Sequence, residues 1–69
     1  MLRFKRGDKV AKVHGQVRYE GTICTSYYTF DDKGEDNYLR YVVQIYPQGF
    51  QYIANEEQLE PIKEFSHAL

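Results

Sequence analysis

The chain has no tryptophan, one cysteine and no long apolar run, and each shortage excludes something. Cys24 has no second cysteine to pair with, so an intrachain disulfide is excluded. One cysteine and two histidines, His14 and His67, cannot supply the four ligands of a structural zinc site, so no metal is expected. A lone thiol fits a reducing, cytoplasmic compartment. No stretch approaches the roughly 20 apolar residues that span a bilayer, so no membrane partner is expected. Met1-Leu2-Arg3-Phe4 leads into charge rather than an apolar stretch, so no signal peptide is expected. Linkers, repeats and low-complexity segments are also missing. The 69 residues therefore read as one domain, with a core over about residues 4–62 and a short tail, 63–69. A chain this short buries only about 60% of its unfolded surface, so closing a barrel or associating with a partner would stabilise it.

What is abundant is aromatic: seven tyrosines and four phenylalanines, residues that favour pleated, half-buried surfaces. Strands are predicted over about 8–13, 20–30, 38–46 and 50–54, with a short closing strand at Glu60-Pro61-Ile62. The third carries the clearest alternation. Leu39, Tyr41, Val43 and Ile45 make the better core face, and Tyr38, Arg40, Val42, Gln44 and Tyr46 lie opposite. On the fourth, Phe50 and Tyr52 share one face, opposite Gln51 and Ile53. Which face of the second strand is buried stays open: Ile23, Thr25 and Tyr27 compete with Cys24, Ser26 and Tyr28. Turns are predicted at His14-Gly15-Gln16, across the polar run Asp31 to Asn37, and at Pro47-Gln48-Gly49. Asn55 is placed to cap one helical turn over Glu56-Glu57-Gln58. The expected fold is all-β: a small five-stranded SH3-like barrel with one short helical turn before the last strand.

Net charge is −1, unevenly spread. Residues 1–18 carry +5, from Arg3, Lys5, Arg6, Lys9, Lys12 and Arg18 against Asp8, and the remainder carries −6. Either the basic segment forms a patch for nucleic acid, or the two halves neutralise each other across the fold. No catalytic constellation is apparent. His14 reads as a solvated turn residue and His67 as part of the tail. Cys24 reads as a small hydrophobe within a strand. Asp31 to Asp36 lacks the spacing and flanking helices of a calcium loop. The acids Glu56, Glu57, Glu60 and Glu64 read as a polar face that discourages edge pairing.

Gly7-Asp8-Lys9-Val10, Gly21-Thr22-Ile23 and Glu57-Gln58-Leu59-Glu60 resemble the corresponding segments of Tudor, KOW and related SH3-like barrels. Val43-Gln44-Ile45-Tyr46-Pro47 is similar to the pore strand of the plasmid-encoded type II dihydrofolate reductases, small barrels that assemble as tetramers around one pore. That resemblance implies folate and NADPH binding, with Lys12 at the pore rim. In that family the motif follows a glycine turn and precedes the closing Leu-Glu. Anchored by Gly49 and Leu59-Glu60, the segment here is Gln51-Tyr52-Ile53-Ala54, so the implied pore residues are Lys12, Gln51, Tyr52 and Ile53.

Three functional expectations follow. The first is a non-catalytic binding or assembly module without a cofactor. It associates with itself or another protein through an aromatic face bearing Tyr38, Val42, Tyr46, Phe50 and Tyr52. The second is a nucleic-acid-binding barrel using Arg3, Lys5, Arg6, Lys9, Lys12 and Arg18. The third is the reductase-like oligomer.

Overall fold

The computed structural model describes residues 2–30, 32–34 and 37–66. His67 and most of the acids of the run Asp31 to Asp36 (Asp31, Glu35 and Asp36) lie outside the described residues. Within them the chain is all-β. Five strands, β1 (Lys9–His14), β2 (Val17–Phe30), β3 (Asn37–Tyr46), β4 (Gln51–Asn55) and β5 (Glu60–Pro61), form one antiparallel sheet in the order β4-β3-β2-β1-β5. A single 3-10 turn, Glu56–Gln58, joins β4 to β5. The ladder is open: among the described residues no strand pairing links β4 to β5.

Local chemistry explains where the strands begin and end. Lys5 to Asp8 make a turn in which the Asp8 N–H donates to the Lys5 carbonyl (3.0 Å). Gly7 sits at φ +92°, the type II position that a side chain would strain. The β1–β2 hairpin pairs His14 with Val17, leaving only Gly15 and Gln16 in the loop. Gly15 takes φ +63° at the first central position, as a type II′ hairpin requires. This tight loop starts β2 at Val17, three residues before the position expected from sequence. At the far end the helical turn stands where expected, with Asn55 at its N-cap, but the capping bond is the reverse of the expected one. The Asn55 N–H donates to the Gln58 side-chain oxygen (2.8 Å), and the buried Asn55 Oδ1 has no partner among the described residues.

The core face of β3 is the expected one: Tyr41, Val43 and Ile45 are fully buried and Leu39 packs against them. Phe4, Val10, Ile23, Ala54 and Leu59 complete the cluster. The Phe4 ring meets Tyr41 edge-on, with centroids 5.4 Å apart.

The open question about β2 resolves into neither set. Ile23 pairs with Val43 but Thr25 pairs with Val42, so Cys24 is the extra residue of a β-bulge. Before the bulge, Tyr19, Gly21 and Ile23 share the inner face. After it Ser26 and Tyr28 do, opposite Tyr41 and Leu39. Beyond Thr25 the β2–β3 hairpin runs out past the core as an arm, in a molecule 44 Å long and 18 Å thin. Tyr28 and Phe30 there are 65% and 63% exposed.

Candidate interaction surfaces

Strand register sorts the aromatic residues into three groups. The first lies inside the curl of the sheet. Tyr52 pairs with Val43 and therefore points to the inner side. It meets Tyr19 of β2 (6.1 Å) and Phe50 (6.3 Å), and Tyr19 meets Phe50 edge-on at 5.4 Å. Lys12 of β1 is only 5% exposed, and its Nζ sits 4.6 Å from the Tyr52 ring centre. The Tyr52 hydroxyl lies 3.3 Å from His14 Nδ1. The curl thus carries β4 side chains onto β1, two strands beyond their ladder neighbour. The ring face offers this ammonium a cation–π partner.

The second group lies outside, beneath the chain that follows β5. The Ile62 N–H donates to the Lys9 carbonyl (3.0 Å), and the chain then crosses the outer face. Phe65 stacks at 5.7 Å on Tyr46, with Lys9 Nζ 5.8 Å from its ring. The Ser66 N–H donates to Glu20 Oε1 (2.8 Å), and Arg18 donates to Glu20 Oε2. Arg18 also reaches Glu60 at 3.4 Å. Burial pushes the Glu20 carboxyl up, but the Ser66 and Arg18 hydrogen bonds outweigh it and hold the group below the usual carboxylate range. The tail 62–66 is therefore a strap fastened by a buried acid.

The third group stands on the outer face of the arm and of β4. Val42 pairs with Ile53 on one side and Thr25 on the other. In the next row Tyr27, Arg40 and Asn55 are aligned. Tyr38 lies one row further, its ring 5.9 Å from the Arg40 guanidinium carbon. Tyr27, Tyr38 and Ile53 are all exposed, Ile53 by 50%. These residues stand in adjacent rows across three strands, a stripe with exposed apolar side chains and one cation set in it.

The expected aromatic face is corrected accordingly. Tyr38 and Val42 belong to the outer stripe, Tyr46 lies against the strap, and Phe50 and Tyr52 point inward. The five residues do not share a surface, because the period-two pleat and the Val43–Tyr52 pairing send Tyr52 to the side opposite Val42. Tyr27 and Ile53 take the vacated places. No sequence signal marked Tyr27, since the bulge sets its face.

The basic segment is dispersed. Arg3 covers Phe4 at 4.9 Å, Lys5 pairs with Asp8 at 3.4 Å, Lys9 lies by Phe65, Lys12 is buried inward and Arg18 is held by two glutamates. The Lys5 backbone N–H, with the lysine's charge, holds the Asp8 carboxyl below its usual range. Arg6 and Lys5 border a groove of about 450 Å³ between the N-terminal segment and the bulge, floored by Phe4, Ile23 and Cys24. Of the pore-type residues, Lys12 and Tyr52 meet, whereas Gln51 and Ile53 face the other side of β4. Val43 and Ile45 of the pore-like motif are buried in the core. Among the described residues no group of three potential metal ligands occurs, and no helix is long and apolar enough to cross a membrane.

Comparison with family models, with curated proteins and with solved structures returns no match.

Proposed function

We propose that this chain is a small assembly module on an SH3-like barrel, without catalytic chemistry of its own, whose copies associate through the outer stripe of β2, β3 and β4. The strand order, the β1–β5 pairing and the 3-10 turn before the last strand support the barrel reading. The observation that carries the function is the stripe itself: Tyr27, Tyr38 and Ile53 are outward and exposed, with half-buried Val42 and Arg40 in the rows between them. Tyrosine and arginine are the residues enriched where protein surfaces meet. A nucleic-acid surface would need several cations in a row. The stripe has one, and most of the basic segment is engaged elsewhere.

Light scattering on a size-exclusion column, across a dilution series, tests this reading. The wild-type chain elutes as an oligomer that dissociates on dilution, and Tyr27→Ser with Tyr38→Ser shifts it to monomer. A monomer at every concentration overturns the reading.

A further inference from the structure

The two edges of the sheet are protected very differently. β5 has two residues, one of them Pro61, which has no N–H to offer a neighbour. β4 has five residues, with no proline, no charge and no break in its pairing with β3. Natural edges usually carry one of those devices.

The backbone groups on the open side of β4 follow from the ladder. The Ile45 N–H donates to the Phe50 carbonyl (2.8 Å), which makes these two a hydrogen-bonded pair. Antiparallel pairs alternate, so Val43–Tyr52 and Tyr41–Ala54 are the next bonded pairs. Tyr52 and Ala54 thus turn their backbone toward β3, and Gln51, Ile53 and Asn55 turn theirs away. The Asn55 N–H confirms this phase, because it reaches off the sheet to Gln58. The N–H and carbonyl of Gln51 and Ile53 have no strand partner among the described residues, whereas Asn55 is committed to the 3-10 turn, its N–H to the Gln58 side chain and its carbonyl to the turn's first backbone bond.

We propose that β4 pairs antiparallel with β4 of a second copy, about a two-fold axis at Ile53. The inference rests on the self-association proposed above and adds to it a contact at the β4 edge, which lengthens the outer stripe and does not cover Tyr27 and Tyr38. In this register Tyr52 faces the partner's Ala54, large against small on the inner side. Gln51 faces the partner's Asn55, amide against amide on the outer side. Ile53 meets its own counterpart. Each Ile53 N–H donates to the partner's Ile53 carbonyl. Two backbone bonds form while the 3-10 turn keeps both backbone groups of Asn55. Centring on Gln51 would instead oppose Phe50 to Tyr52, and centring on Asn55 would break the cap. Pairing at Ile53 also joins the Val42–Ile53 rows of both copies into one apolar band, and such an isologous contact closes at two copies.

The test combines sedimentation with amide exchange. Ile53→Pro removes an N–H that β3 does not use, so the sheet should survive, as circular dichroism and melting will show. Losing both interchain donors should raise the dimer dissociation constant by about 10–100-fold. In the wild-type chain, the Ile53 amide should be protected at high concentration and exchange freely on dilution. A folded Ile53→Pro chain that dimerises normally, or an Ile53 amide whose exchange ignores concentration, overturns the edge pairing. If that dimer is broken by Tyr27→Ser with Tyr38→Ser, the function proposed above survives without it. A wild-type monomer at all concentrations removes both. If Ile53→Pro fails to fold, wild-type exchange decides alone.

Discussion

Gly21→Ala should be among the most damaging single-methyl changes in this protein. Gly21 is buried on the inner face of β2, opposite Ile45. A Cβ there would stand 2.2 Å from the Gln44 carbonyl oxygen, 2.8 Å from its carbon and 3.0 Å from the Ile45 Cα. All three are backbone atoms, so no rotamer relieves the clash. The strands must move apart where the sheet curls to bring Tyr19, Phe50 and Tyr52 together. Overpacking costs about 1–3 kcal/mol, and a clash with backbone belongs at the upper end. In a domain of this size 1 kcal/mol shifts Tm by roughly 4–8 °C, so about 3 kcal/mol predicts a fall of about 12–24 °C. Thermal melting followed by circular dichroism reads this directly. Thr22→Ala, one residue on and half-buried, serves as the control and should cost about 1 kcal/mol or less. A Gly21→Ala chain melting within about 3 °C of wild type would show that the close approach of β2 and β3 is not what holds the curl.

Other outcomes follow from the strap, the inner cluster and the basic segment. Glu20 titrates below the usual carboxylate value near 4.5, so the stability it confers is complete above that value and is lost as pH falls through the lowered folded-state one. Melting temperature should therefore drop on acidification, and Glu20→Gln should flatten that part of the profile. An unchanged acid limb would mean that the strap is not fastened there. Tyr52→Ala removes a half-buried ring with two aromatic neighbours and a cation, and should cost about 2–4 kcal/mol by denaturant titration. With its bases dispersed, the chain should bind single-stranded DNA or RNA weakly, if at all, at low salt in a filter or anisotropy assay. Tight binding that weakens steeply with salt would restore the nucleic-acid reading.

The parts of the fold legible in the sequence are those set by short-range chemistry. Leu39 to Ile45 alternates cleanly because that strand has one buried side, and period-two patterning reports burial directly. Gly15 and Pro61 mark a hairpin and an edge, because each is selected for its own backbone. What was not legible depends on partners distant in sequence. Tyr52 alternates as well inward as outward until its pairing with Val43 is known. The bulge at Cys24 shifts the phase of β2 in mid-strand, so neither candidate face could be right throughout. The burial of Glu20 is not legible, because nothing local shows that a backbone amide 46 residues away will cover it.

Cys24 holds a position that can be counted out of the ladder. Ile23 would still face Val43, and Thr25 would still face Val42, if it were deleted. Its contribution is to direction: a bulge bends its strand and tightens the local twist. The arm bearing Tyr27, Tyr38 and Arg40 therefore leaves the core at a heading fixed by one surplus residue. Shortening β2 by that residue should swing the arm while preserving every cross-strand neighbour. Aim and adhesion in this molecule are separately adjustable, the first by chain length at the bulge and the second by side chains beyond it.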